Sequence, residues 1–352
     1  MTFLSIIAFI LILGIIVLVH EFGHFIWAKK FGVHIYEFSI GMGPVIFTHE
    51  GKDKIKYRIR ALPIGGFVQM AGEVYDDADD KIDKKKLMCN KPWYQRIIII
   101  VAGVVNNFIL ALVLLFIYAL IWGAPTDSTK IYSVKKDYPI ANAGIKKGDV
   151  ITKVNGKKVN SWDKAQILLM LKSKDNTYKI EVRHQDGSKD SYNVKPKKVY
   201  DKELKMDRSV FGLVVKQNVH KGFGASIKYA FTKFAGIMDT MWLTISNLVT
   251  GKLSFKNLSG PVGVYQVVDA GLAAGISYLI YITAFLSLNV GFINILPLPA
   301  FDGGRAFFML IEKVTGKKIN SKIENTIHAI GFVLLIGLML VITWQDIVRI
   351  FK

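Results

Sequence analysis

Four long apolar stretches punctuate the chain. Phe3 to Val19 carries no charge and resumes as Phe25-Ile26-Trp27-Ala28 after a polar interruption; Ile97 to Trp122 has only Asn106 and Asn107 as strongly polar members. Ser277 to Phe301 contains Asn289 and Asn294 but no charge, and Ile327 to Trp344 is the last. At about 1.5 Å per helical residue, each can cross a hydrocarbon core of about 30 Å. The pattern predicts four transmembrane helices. The first stretch lacks a basic leader and a small-x-small cleavage site, so a removable signal peptide is a poor description of it.

Between the spans the pattern changes. Lys54-Ile55-Lys56-Tyr57-Arg58-Ile59-Arg60-Ala61 alternates basic with apolar, which predicts a half-buried strand. Gly65-Gly66 follows, and with Phe38 to Gly43 this predicts a small β-rich element near the membrane; a basic sheet face lying on lipid headgroups is the plainer alternative. Glu73 to Asp83 is acidic and predicts a solvated loop. Gly222 to Thr250 mixes Phe, Ile, Met and Trp with charge, as an interfacial helix does.

Charge sets a topology. Lys29 to Arg96 and the segment with Arg305, Lys313, Lys317, Lys318 and Lys322 are rich in basic residues, so both belong in the cytoplasm. Both termini and the long segment after Trp122 then lie outside. In all, 46 basic and 27 acidic residues among 352 leave a net charge of +19, without a nucleic-acid-binding motif to match. A basic chain with long apolar runs points to a bilayer with anionic lipid. A single cysteine, Cys89, excludes a disulfide framework.

The chemistry interrupts the first span. His20-Glu21-Phe22-Gly23-His24 is an HExxH motif. On a helix, residues i and i+4 share a face, so His20 and His24 can reach one metal ion, and Glu21 can take a proton from water activated by it. Three ionisable groups inside an apolar helix are costly, which argues against simple packing. A hydrolytic zinc site needs a third protein ligand and an open position. Asp302 is the best candidate: it ends the third span on the cytoplasmic side, at the depth of the two histidines. A helix-end cap before Gly303-Gly304 is its bland alternative. Asn294 suits a role in orienting substrate or an oxyanion, or an interhelical hydrogen bond. His34, His49, His184, His220 and His328 lack such spacing and are expected at surfaces or interfaces.

HEFGH in the first span, NILPLPAFDGG in the third, and the SIGMGP and LPIGGFVQMAGE segments between them resemble the site-2 protease family, of the bacterial regulator-of-sigma-E protease type. The resemblance covers nearly the whole chain. It implies intramembrane zinc proteolysis of single-span membrane proteins such as anti-sigma factors or signal-peptide remnants, with His20, His24 and Asp302 on Zn2+, Glu21 as base, and Asn294 near the substrate. It also implies that Lys54, Ile55, Lys56, Tyr57, Arg58, Ile59, Gly65 and Gly66 belong to a membrane-entering β loop that meets the substrate strand. Leu258 to Gly263 matches a family segment before the third span, and Phe301 replaces the usual leucine. Tyr138 to Gly156 looks like a PDZ domain, with a helix at Trp162 to Lys172.

The expected fold is therefore a polytopic α-helical membrane protein with a membrane-associated β element and one extracytoplasmic PDZ domain that could contact substrate. Its parts are a first span over 1–28, a cytoplasmic loop over 29–96, a second span over 97–122 and the PDZ domain over 127–215. An interfacial region over 222–270 precedes a third span over 277–301, a cytoplasmic loop over 302–326 and a fourth span over 327–345. Two other classes share some features. A metal transporter would favour an internal repeat and a continuous polar path. A non-catalytic PDZ scaffold would have no use for Glu21 between the histidines.

Overall fold

The computed structural model describes residues 3–73, 77–126, 128–171, 173–201, 206–253, 259–317 and 319–351. Asp127, Lys172, Leu258 and Lys318, on which some expectations above fall, lie outside them. In chain order the elements are α1 (Phe3–Lys30), β1 (Ile35–Glu50), β2 (Lys56–Met70), α2 (Trp93–Trp122), β3 (Ala124–Pro125), β4 (Ile131–Val134), α3 (Pro139–Asn142), β5 (Val150–Val154), β6 (Lys157–Lys158) and α4 (Trp162–Met170). Then follow β7 (Tyr178–Arg183), β8 (Lys189–Val194), β9 (Lys197–Asp201), β10 (Met206–Val210), β11 (Leu213–Val215), β12 (Val219–His220), α5 (Phe223–Val249), α6 (Pro261–Ala274), α7 (Ile276–Ile295), α8 (Asp302–Thr315) and α9 (Ser321–Phe351). Among the described residues four helices are long and apolar enough to cross a membrane: Phe3–Lys30, Trp93–Trp122, Ile276–Ile295 and Lys322–Val348. They overlap the four apolar stretches, the third ending at Ile295, short of Phe301.

The chain divides into two units, one of Met1–Leu114 with Ser259–Ile347 and one of Leu115–Leu258 with Val348–Lys352. In the first, α1, α6 and α7 bury Ile12, Ile16, Val268 and Ile282 together. A second cluster joins Phe25 and Ala28 of α1 to Phe38 and Val68 of the hairpin, Ile99 and Ile100 of α2, and Met309 of α8. The hairpin is folded back on itself. Glu37–Ile40 pairs with Gly66–Gln69 on one side and with Lys56–Ile59 on the other, while Lys56–Ile59 also pairs with Phe47–Glu50. Gly41 and Gly43 at positive φ make the fold-back possible. Buried Glu37 holds the layers together by ion pairs to Arg58 and Arg60, and Arg60 also donates to Ser39 Oγ and to the Gly43 carbonyl, each at 2.8 Å.

Several expectations need correction here. Lys56–Ile59 is not an edge available to another chain; it has partners on both sides. The acidic segment is not simply solvated. Asp79 is buried, accepting from the Tyr36 hydroxyl at 2.9 Å and the Gly72 amide at 3.0 Å, and Glu73 pairs with Arg305. Asp302 opens α8 instead of ending the third span, because α7 stops at Ile295 before Pro297 and Pro299. The expected loop after it is largely helix, since Gly303 and Gly304 let the first turn press on the carbonyls of Ile295, Leu296 and Leu298. The stretch around 222–270 is two helices in different units: α6 packs with α1 and α7, whereas α5 belongs to the second unit.

The second unit contains a sheet of order β6-β5-β7-β8 and the two-stranded pairs β4–β11, β9–β10 and β3–β12. Asn155 and Gly156, both at positive φ, make the tight turn from β5 to β6 that an Asn-Gly pair favours. Ile131, Ile140, Ile151, Val154, Leu168, Ile180 and Val182 form its core. Ser161 caps α4 by accepting from the Lys164 amide at 3.1 Å. Two reciprocal ion pairs, Lys164–Asp239 and Lys233–Asp163, tie α4 to α5. His184, expected at a surface, is held between Asp149 and Asp190.

Removing one partner of a buried ion pair leaves the other charge uncompensated. Glu37→Ala should therefore destabilise the first unit by about 3 kcal/mol, read as a lowered unfolding midpoint in detergent.

Candidate metal centre

α1 presents His20 and His24 on one face, one helical turn apart, with ring centroids 4.8 Å apart. The residues around them are apolar, so each imidazole must find its partners within the chain. His24 Nδ1 lies 2.8 Å from the Ile99 carbonyl oxygen. A carbonyl can only accept, so Nδ1 carries the proton, and the neutral ring keeps a lone pair on Nε2. His20 Nδ1 lies 3.2 Å from the fully buried Asn107 amide, whose Oδ1 has no other partner. With that oxygen turned to the ring, Nδ1–H donates to it and Nε2 of His20 is also free.

Both lone pairs face Asp302. His20 Nε2 is 3.0 Å and His24 Nε2 3.4 Å from Asp302 Oδ2. That oxygen is buried and, among the described residues, receives no hydrogen bond from any other group. The ligand atoms of the three residues lie within 4.8 Å of one another. Bonds of about 2.0–2.2 Å in a tetrahedral zinc site put neighbouring ligand atoms about 3.3–3.6 Å apart. With Nε2 of each ring unprotonated, these are three electron-pair donors close enough to share a divalent cation.

Close backbone approach makes this possible. A β-carbon on Gly23 would collide with the Ala102 carbonyl, and one on Gly103 would collide with the His24 ring and sit 2.8 Å from His20 Cε1. α2 thus runs against the histidine face with nothing larger than hydrogen in between. Asn106 and Ser287 fasten the same region, by bonds to the Val19 carbonyl at 3.2 Å and the Asn107 carbonyl at 2.8 Å.

Half-buried Glu21 lies beside the hairpin. A β-carbon on Gly66 would stand 3.7 Å from Glu21 Cγ and 2.8 Å from the Ser39 carbonyl oxygen. Gly66 is therefore brought to the motif, and Gly65 adjoins it. Lys54 and Ile55 sit in the turn between β1 and β2, and Lys56, Tyr57, Arg58 and Ile59 are enclosed in the sheet. Asn294 is on the last turn of α7, half-buried, and its side chain makes no hydrogen bond to another described residue. Sequence reasoning missed Ile99, Gly103 and Asn107. The Gly103-to-Asn107 spacing of four on an otherwise apolar span was the available signal, since it puts both on the face that meets α1.

A sequence model of peptidase family M50 matches residues 8–338. The chain is 32% identical over 423 aligned positions to the regulator of sigma-W protease RasP of Bacillus subtilis, covering 99% of both chains. It is 32% identical to the zinc metalloprotease RasP of Bacillus licheniformis over 423 positions, again 99% of each. To the RasP zinc metalloprotease of Shouchella clausii it is 31% identical, over 99% of this chain and all of the relative.

Gly103→Ala should strip the centre of metal because the added methyl must displace the rings of His20 and His24. Gly337→Ala on α9, where a β-carbon meets nothing within 4 Å, should not. Metal content of the two purified variants checks this.

Proposed function

Since the chain belongs to peptidase family M50, the site-2 proteases, and is a zinc metalloendopeptidase with four apolar helices, we propose that it cleaves single-span membrane proteins within the bilayer. The observation that carries this reading is the convergence of His20 and His24, on a helix of spanning length, with Asp302, at the start of the helix that follows another such span. These three residues would hold zinc, and Glu21 would be the general base. Zinc, when bound, polarises a peptide carbonyl and makes water more acidic. Glu21 takes the proton of the attacking water and returns it to the departing amide nitrogen.

A substrate helix hides its carbonyls in its own hydrogen bonds, so it must unwind before it is cut. Among the described residues Gly66–Gln69 pairs only with Glu37–Ile40. Its other side offers an edge beside Glu21 to which an extended peptide can add. This moves the substrate contact from Lys54–Ile59 to the Gly65-Gly66 end of β2. Asn294 would orient the scissile segment from the end of α7.

The reading of the second unit rests on its β-sheet and on α4 with its Ser161 cap: it is a PDZ domain of about 127–215 that lies outside the cytoplasm and meets the outer parts of substrates. The zinc site would lie toward the cytoplasmic side, with both termini outside. The relative named as a regulator of sigma-W makes an anti-sigma factor a fitting substrate class.

Membrane-embedded model substrates test the reading. Glu21→Gln keeps its size and loses the base, so it should bind zinc and cut at least about 100-fold more slowly. His20→Ala, His24→Ala and Asp302→Asn should each lose zinc and activity together. Turnover near wild type by Glu21→Gln would remove that residue from the mechanism. For the edge, Gly66→Val should retain zinc and lose cleavage, because its side chain presses on the Ser39 carbonyl and on Glu21 and displaces the strand beside the base. Unimpaired cleavage by Gly66→Val would rule out a substrate strand at that edge.

A further inference from the structure

Asp302 follows a six-residue connection, Leu296 to Phe301, between α7 and α8. Pro297 and Pro299 have no amide proton, which leaves four donors to hold the connection in place. Leu296 donates to the Ile293 carbonyl, Leu298 to that of Leu296, and Phe301 to that of Leu298, so these three bonds stay local. Among the described residues only Ala300 reaches another part of the chain: its amide donates to His328 Nδ1 on α9 at 3.0 Å. Ala300 is at φ 75°, which a residue with a β-carbon adopts only when its surroundings hold it there. Asp302 is two residues further on.

The fit around that bond is close. A β-carbon on Gly304 would lie 3.2 Å from His328 Cε1, and the Phe308 ring centroid is 5.7 Å from that of His328. One turn along α9, a β-carbon on Gly331 would collide with Pro299. α9 therefore braces the connection at two points on one face. Because Nδ1 accepts, a neutral His328 carries its proton on Nε2, and that nitrogen is buried without a partner among the described residues. A buried donor left unpaired is unfavourable, so the ring is not explained as polar filler. The bond made by Nδ1 is what it supplies.

We propose that His328 is a positioning residue of the metal centre: its Nδ1 anchors Ala300 and so fixes where Asp302 meets His20 and His24. This corrects the expectation that His328 is an idle interfacial residue, and it rests on Asp302 being a zinc ligand. The role is that of an acceptor at one point, and two substitutions separate it from packing. His328→Asn puts a carbonyl oxygen near the place of Nδ1 but loses volume. His328→Leu keeps apolar volume but cannot accept.

The test is zinc affinity of the full-length protein in detergent, by competition with a chelating dye, with unfolding midpoints recorded alongside. His328→Leu should bind zinc about 10–100-fold more weakly, as expected when a group supporting a ligand is lost, and His328→Asn should stay within about threefold of wild type by keeping the acceptor. Gly331→Ala, which pushes Pro299 while leaving the histidine intact, should weaken zinc in the same direction; it carries the test if His328→Leu fails to fold. Wild-type affinity in His328→Leu or in Gly331→Ala, or equal losses in the Leu and Asn variants, overturns the proposal. Asp302→Asn, measured in parallel, separates the two readings. If it binds zinc normally, the ligand assignment has failed; if it loses zinc while His328→Leu does not, only the positioning role has.

Discussion

Polar groups placed inside an apolar helix bundle cannot turn to water, so every hydrogen bond they make must come from the chain itself. His20, Glu21 and His24 impose this constraint on α1, and much of the first unit follows from it. Each imidazole spends one nitrogen on α2, through the Ile99 carbonyl and the Asn107 amide. Those bonds need α2 at backbone contact, hence Gly23, Ala102 and Gly103 at the crossing. Each second nitrogen is then free and faces the same carboxylate. That carboxylate has to arrive without a helix running through the site. The break at Pro297 and Pro299 and the Gly303-Gly304 pair deliver it.

The hairpin answers a second requirement. As the proposed base, Glu21 needs an extended peptide beside it, and extended backbone away from water is tolerated only where it is paired. β1 and β2 meet this by folding twice, so that the middle segments satisfy one another and the Gly66 end comes up against α1. Glu37, closed in by Arg58 and Arg60, converts the basic alternation of Lys54 to Ala61 into an internal charge network. The basic residues that suggested contact with lipid headgroups are thus partly occupied inside the sheet.

What could be read in the sequence had a strong local period or a rigid motif. The four spans, the HExxH face, the Asn155-Gly156 turn and the convergence of Asp302 on the histidines came from hydrophobic runs, helix spacing and turn chemistry. What could not be read depends on contacts between distant segments. The double pairing of Lys56–Ile59 is a register choice that alternation leaves open. Asp79 looked like one of several solvated acids, and only the fold brings Tyr36 and Gly72 to it. Asn107 and Gly103 looked like minor interruptions of a span, because their meaning lies in what α1 places opposite them. The start of α8 at Asp302 was hidden by Leu296, Leu298 and Phe301, which extend the apolar run past the point where proline ends the helix.

The last helix completes the accounting of polar groups. Among the described residues it adds none to the His20, His24 and Asp302 group, and its apolar middle, including Phe332, Val333 and Leu334, is exposed, as suits a face toward lipid. Its polar contacts with the rest of the first unit lie near its two ends. Near the start His328 accepts from Ala300; near the finish Asp346 accepts from the Gly260 and Gly263 amides at 2.7 and 3.0 Å, at the head of α6. These three donors belong to a strained connection and to a helix N-terminus, places where backbone amides have no partner within their own element. Left unpaired in hydrocarbon, each would cost several kcal/mol. α9 therefore acts on the site through the backbone that carries it, and α6, pinned at its first turn by Asp346, packs along α1 through Val268 against Ile12 and Ile16 on the helix that bears the histidines.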